Sequence, residues 1–202
     1  MTPPFGGFTL SLVPDAPLGL PSGWAEADLT DLHPDLAVAL RPLLVSAVTA
    51  GLRPRRRSGA RGNVAQGALF TAYKAAQGRW IAGGKVGAGP LPAAPPGASA
   101  HNYAVCPQDA THVIGPNPVC PVCSSRSRAA SLALDVALLD IAGVPIYSGG
   151  GRGLAARPAE WRQWSAVVAA FPALRDGGTF AQPDPVHVEL ARWDHTSRTL
   201  RP

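Results

Sequence analysis

The sequence predicts an α+β fold: a small antiparallel sheet flanked by helices. Three observations predict it. Residues 28–51 and 156–174 carry apolar side chains at helical spacing. Residues 131–148 and 186–190 are dense in Val, Leu and Ile, as strands are. Gly and Pro, 22 of each, cluster between these stretches and mark loops. A chain of 202 residues with 46% hydrophobic content has the length and apolar surface for one domain with a buried core.

Taken in order, residues 1–27 read as an extended, Pro/Gly-rich N-terminal segment, and residues 28–202 as the folded domain. Leu29, Leu32, Leu36, Leu40, Leu43, Leu44 and Val48 give the first helix its apolar face. An Asp or Thr is available as N-cap and Gly51 as stop, and Pro42 is expected to kink or split the helix. The basic stretch LRPRRRSGARGNVAQG reads as a loop or short strand leading to a second helix near Val64 to Gln77. AGGKVGAGPLPAAPPGASA is a long loop, and HNYAV starts a strand. Residues 104–130, with the cysteines and four prolines, break the pattern and read as an insert. SLALDVALLDIAGVPIYS returns as strand with Asp135 inside it. ARPAEWRQWSAVVAAFPAL is an amphipathic helix ending near Pro172. A turn, DGGTFAQPDP, then precedes VHVEL, a strand expected to alternate in and out. No internal repeat is present.

The formal net charge of +5 favours anionic partners: nucleic acid, teichoic acids, acidic lipids or the carboxylates of peptidoglycan stems. No apolar run approaches the roughly 20 residues of a membrane span. The N-terminus lacks a basic n-region and a clean apolar h-region, so it does not read as a signal peptide. The expectation is synthesis in the cytoplasm, with another factor responsible for any release or export to a cell wall. Three cysteines without an export signal argue against a disulfide framework.

Three residues meet the needs of a catalytic zinc, which takes three protein ligands and leaves a fourth position for water. His101 follows the Gly-rich loop. Asp135 lies in an apolar strand, where a lone carboxylate is costly unless paired or bound to metal. His187 lies on VHVEL, three residues after Asp184, a carboxylate able to act as general base. Each has a plainer reading: a surface histidine, a carboxylate paired with an arginine, a turn residue between two prolines.

The stretches SGARGNVAQGAL, APPGASAHNY, SLALDV and GGTFAQPDPVHVEL, in that order, resemble the zinc peptidase family of D-alanyl-D-alanine carboxypeptidases and L-alanyl-D-glutamate endopeptidases. Its pattern is roughly Ser-Gly-Tyr-Arg with a later Gln, then Pro-Gly-x-Ser-x-His-Asn-x-Gly-x-Ala-x-Asp, then Asp-x-x-His. The His-Asn-Tyr version looks closest to the phage-endolysin and spore-type L-alanyl-D-glutamate branch. The resemblance covers about residues 28–192 and implies a D,D-peptidase or hedgehog-type fold with the zinc site on the sheet. It implies His101, Asp135 and His187 as zinc ligands and Asp184 as general base. Arg61 would stabilise an oxyanion or hold a substrate carboxylate, and a solvated basic loop is its plainer reading. Ser99 and Gln66 match positions that touch substrate or order the loop. The sequence departs from the pattern at Ala60, where the family has Tyr, and at Ser131, where it has Gly. It departs most between His101 and Asp135, which 33 residues separate in place of a short spacer. A self-contained insert with adjacent ends would leave the two ligands together.

The insert carries Cys106, His112 and Cys120-Pro-Val-Cys123. The Cys-Pro-x-Cys turn resembles a zinc knuckle, so a second, structural zinc is expected on Cys106, Cys120 and Cys123. His112 is the first candidate for its fourth ligand, with Asp109 or an outside residue as alternatives. Free or redox-active thiols are the competing reading. The implied function is hydrolysis of a stem-peptide amide bond by a monomeric cell-wall lysin of the L-alanyl-D-glutamate endopeptidase type, with D-alanyl-D-alanine carboxypeptidase as the alternative. A reading of another class is a non-catalytic zinc-knuckle binder of cell wall or nucleic acid. The knuckle carries few interleaved aromatics, which argues against nucleic acid.

Overall fold

The computed structural model of the chain describes residues 19–61, 63–87, 89, 90, 93, 94, 99–101, 104–106, 108, 119, 120, 122–124, 128–149, 154–181, 183–194, 199 and 200. Its helices are α1 (Pro34–Thr49), α2 (Asn63–Ala82) and α3 (Ala159–Ala169). Its strands are β1 (Pro54–Ser58), β2 (Ala104–Val105), β3 (Arg128–Ala129), β4 (Ala133–Leu138), β5 (Leu174–Asp176), β6 (His187–Leu190), β7 (Trp193–Asp194) and β8 (Thr199–Leu200). The fold is α+β, with one four-stranded antiparallel sheet in the order β1-β4-β6-β5. Among the described residues no helix is long and apolar enough to cross a membrane.

The α1 helix starts where sequence chemistry allows, though not at the expected cap. His33 is the N-cap, its Nδ1 accepting from the Asp35 N–H, and Pro34 opens the first turn. Leu36, Leu40, Leu43, Leu44 and Ala47 are buried on one face, and Gly51 leaves the helix with φ +84°. Pro42 does not split it. Pro42 lacks the N–H that would bond the carbonyl of Val38, a residue 68% exposed, so the lost bond falls on the solvent side. The N-terminal segment expected to end at residue 27 lies outside the described residues up to 18. Its last part already belongs to the fold. Trp24 is buried and donates its indole N–H to the Pro54 carbonyl at 2.9 Å, and Glu26–Leu29 form a 3-10 turn.

The sheet has two chemically different faces. In antiparallel pairs, opposed residues share a face. Leu134 opposes Val188 and, with Val136, Leu138 and Leu190, joins the core contributed by α1 and by Trp161, Trp164 and Val168 of α3. The other face carries Ser58 opposite Asp135, Asp135 opposite His187, and Arg175 opposite Glu189. The expected alternation along VHVEL is therefore chemical but not one of exposure: all four residues of β6 are buried. The residues after β5 fold over the polar face, with the Phe180 ring 5.7 Å from that of His187. β5 itself lies in the stretch expected to precede or form a turn.

The described ends of the interruption at 104–130 pair with each other. β2 pairs with β3, Ala104 opposite Ala129, and the Leu132 N–H donates to the Ala100 carbonyl at 2.8 Å. The two ends of the insert thus lie side by side, and the long gap in sequence closes in space.

Candidate metal centre and cleft

His101, Asp135 and His187 converge on one point. His101 Nε2 lies 3.0 Å from Asp135 Oδ1 and 3.1 Å from His187 Nδ1, and His187 Nδ1 lies 3.3 Å from Asp135 Oδ1. A tetrahedral ion with bonds of about 2.0–2.1 Å separates its donors by about 3.3 Å. The three atoms therefore sit close to one face of such a tetrahedron.

The hydrogen bonds behind the ligands point the same way. His101 Nδ1 lies 2.9 Å from the Gly59 carbonyl, which can only accept, so that nitrogen carries the proton and Nε2 offers its lone pair. His187 Nε2 lies 3.0 Å from Glu189 Oε2. Glu189 is fully buried and paired with Arg175, whose Nε donates to Oε1 at 2.8 Å. The Nδ1 of His187 is thereby left to face the other two ligands. A carboxylate or carbonyl behind each ligating histidine fixes its tautomer and raises its basicity. Oδ2 of Asp135, turned away from the histidines, accepts from Ser58 Oγ at 2.5 Å and from Arg61 at 2.6 Å. Asp135 is left with one oxygen for the centre.

Electrostatics follow from this packing. Burial opposes the charged form of Asp135, but His101 and His187 outweigh it and hold the carboxyl well below its usual range. Burial likewise opposes a charged His187, yet its hydrogen bonds to Asp135 and Glu189 raise it to about 9. A divalent ion bound here would take the place of that proton. Asp184 reaches solvent at the rim, but the surrounding wall desolvates it enough to raise its carboxyl above the ordinary value. Attraction to His187 opposes the shift and repulsion from Asp135 adds to it. Its backbone is fixed: the Asp184 N–H donates to the Gly177 carbonyl at 2.9 Å, and its carbonyl accepts from the His187 N–H at 3.0 Å. Gly177 has no alternative here, since a Cβ would stand 2.5 Å from the Asp184 carbonyl oxygen and 2.7 Å from His187 Cβ.

The centre opens into a cleft of about 800 Å³ whose far wall is α2, presenting Gln66, Leu69, Tyr73 and Ala76. Ser99, Arg61, Asp184 and Phe180 line it too. Ser99 Oγ accepts from the His101 N–H at 3.3 Å. Gln66 is buried; its Nε2 donates to the Ala94 carbonyl at 2.7 Å, while its Oε1 has no partner among the described residues. All residues singled out in sequence around this centre thus border one cleft. Arg61 is not a solvated loop residue. It is ion-paired with Asp135 and donates to Ser58 Oγ at 2.7 Å.

Sequence reasoning missed Ser58, Glu189 and Arg175. Ser58 belongs to the Ser-Gly-x-Arg stretch from which only Arg61 was selected. Glu189 stands two residues after His187, which on a strand means the same face.

In the hairpin, Cys106 Sγ lies 3.5 Å and Cys120 Sγ 3.8 Å from Cys123 Sγ. Thiolates about 2.3 Å from a tetrahedral ion stand about 3.8 Å apart, so this trio also fits a metal. The Cys123 N–H donates to Cys120 Sγ at 3.5 Å, and Ser124 turns the chain with φ +54°. In the protein alone, the Cys106 hydrogen bond, then burial and Cys120, push the Cys123 thiol up to about 12; a divalent ion reverses this. His112 and Asp109, the candidate fourth ligands, lie outside the described residues. In comparisons with known proteins, no family model and no curated sequence matched the chain.

Proposed function

We propose that the chain is a zinc-dependent peptidase of peptidoglycan stem peptides, of the L-alanyl-D-glutamate endopeptidase type. The observation that supports it most is the triangle of His101, Asp135 and His187 donors at tetrahedral spacing, open on its fourth side to a cleft that holds Asp184. Two imidazoles and a carboxylate suit zinc, and three ligands with an open position are the catalytic arrangement. Bound zinc supplies a water of pKa about 7 and polarises the carbonyl under attack.

The protein groups do the rest. Asp184 takes the water's proton and passes it to the leaving amine; its raised affinity for protons suits the second half of that task. Gln66 orders the loop after α2 through its bond to the Ala94 carbonyl. Arg61 and Ser58 position Asp135. The ordered motif resemblance supplies the substrate class, and exposed Arg53 and Arg57 of the basic stretch add attraction to an anionic wall. Cys106, Cys120 and Cys123, with His112 as fourth ligand, would hold a second, structural zinc.

Zinc-loaded protein should release products from a defined muropeptide, and their masses separate Ala–Glu cleavage from removal of a terminal D-Ala. Asp184→Ala should lower kcat about 10²- to 10⁴-fold with the fold retained. Undiminished activity in that variant removes Asp184 as the base.

A further inference from the structure

Arg57 interrupts the regular geometry of β1. Arg56 opposes Val136 and Ser58 opposes Asp135, so two steps on β1 match one on β4 and Arg57 is the extra residue of a β-bulge. On a regular strand neighbouring side chains point to opposite faces. Here Arg57 and Ser58 both line the cleft. Among the described residues Arg57 makes no hydrogen bond or ion pair, whereas its neighbours are engaged. Arg55 donates to the Ser22 carbonyl, Arg56 pairs with Asp31, and Arg61 pairs with Asp135. Arg57 is thus the uncompensated cation of the cleft wall, one residue along the strand from a side chain that touches a metal ligand.

We infer that Arg57 is a specificity-determining residue that binds a carboxylate of the peptide substrate close to the cut bond. The assignment rests on the peptidase reading. It also moves a role: sequence resemblance offers Arg61 as the holder of a substrate carboxylate, but the guanidinium of Arg61 already neutralises Asp135. A guanidinium gives a carboxylate a planar two-donor fork. In the proposed substrate the matching group is the free α-carboxylate of a γ-linked D-glutamate next to the scissile amide. Peptides whose D-glutamate is amidated at that position lack the charge and are the poorer ligands.

The test compares two capped Ala-γ-D-Glu-Lys peptides in which a ketomethylene link replaces the Ala–Glu amide and blocks hydrolysis. One keeps the α-carboxylate and the other carries the α-carboxamide. Calorimetric titration of the zinc-loaded full chain should show the acid binding about tenfold tighter, as expected for a charged hydrogen-bonded pair. Arg57→Ala should bind both alike, with an unchanged melting temperature, and Arg57→Lys should keep part of the preference. An acid preference that survives in Arg57→Ala, or none in the unaltered protein, overturns the assignment; in that case Arg57 only blunts the sheet edge. Cleavage of the ordinary amide-linked peptide is scored separately. An Arg57-dependent preference without cleavage counts against the peptidase reading and leaves the carboxylate site standing. Cleavage without the preference does the reverse.

Discussion

The two candidate metal clusters are built on opposite plans. His101, Asp135 and His187 come from three separated parts of the chain, and the sheet register brings two of them opposite each other on neighbouring strands. Behind them stand Gly59, Ser58, Arg61, Glu189 and Arg175, each bonded to a ligand or to the group behind it. The cysteine trio falls within eighteen residues of sequence, and Cys120 to Ser124 form a local turn. The first arrangement rests on a sheet packed against the buried core; the second brings together sulfur atoms from one run of sequence. A rigid, outward-opening N/O site suits chemistry, and a local sulfur site suits folding.

Removing one ligand at a time should separate the two clusters most clearly. Asp135→Ala should weaken metal binding at the sheet by about two orders of magnitude or more and leave the cysteine cluster loaded. Cys120→Ser should do the opposite: the hairpin loses its metal, while the sheet centre keeps its own. Metal analysis of each variant checks this, the unaltered chain holding two ions and each variant one. Loss of both ions from Cys120→Ser would show that the hairpin supports the sheet centre and that the two plans are not independent.

How much of this was legible in sequence depended on the range of the interaction. His101, Asp135 and His187 each have a plainer reading taken alone and were picked out by the ordered motif resemblance; the structure brings their donor atoms within 3.3 Å of one another across a 33-residue interruption. The cysteines declared themselves by spacing. Helix α1 followed from its leucine periodicity, but its cap did not, because histidine is an uncommon N-cap and Pro34 at the first position was the stronger signal. Glu189 was hidden by the assumption that one face of VHVEL meets solvent. Its burial depends on the chain after β5 folding back, and no pattern within β6 contains that information. The bulge at Arg57 was equally invisible, since it is a property of two strands and not of one.

The two clusters also differ in how they hold protons. In the metal-free chain His187 binds a proton more tightly folded than unfolded, its pKa rising from 6.5 to about 9. The resulting stability is complete below about pH 6.5 and is lost as pH climbs through about 9. It amounts to something on the order of 3 kcal/mol. Thermal melts of chelator-treated protein should therefore fall across that window. Metal-loaded protein should not follow, because the ion replaces the proton, and metal affinity should rise over the same range. Calorimetry in buffers of different ionisation enthalpy should find fewer protons released per ion at the sheet centre than at the cysteines, where each thiol must ionise. A metal-free melting temperature that is flat from pH 6.5 to 9 would mean that Asp135 and Glu189 do not hold a proton on His187.

Glu189→Gln asks for the smallest change and the most specific one. The side chain keeps its size and an oxygen for the His187 Nε2–H, but it loses the charge that raises the ring's basicity and that Arg175 neutralises. Outer-shell substitutions of this kind cost about 10- to 100-fold in metal affinity. The loss should appear at the sheet centre alone, as faster metal release to a chelator, with the cysteine cluster unchanged. If the sheet centre releases its ion no faster in Glu189→Gln, then the three ligands suffice without the carboxylate behind them. The contrast between the two clusters would then rest on which atoms bind the metal, with no contribution from the groups that hold those atoms in place.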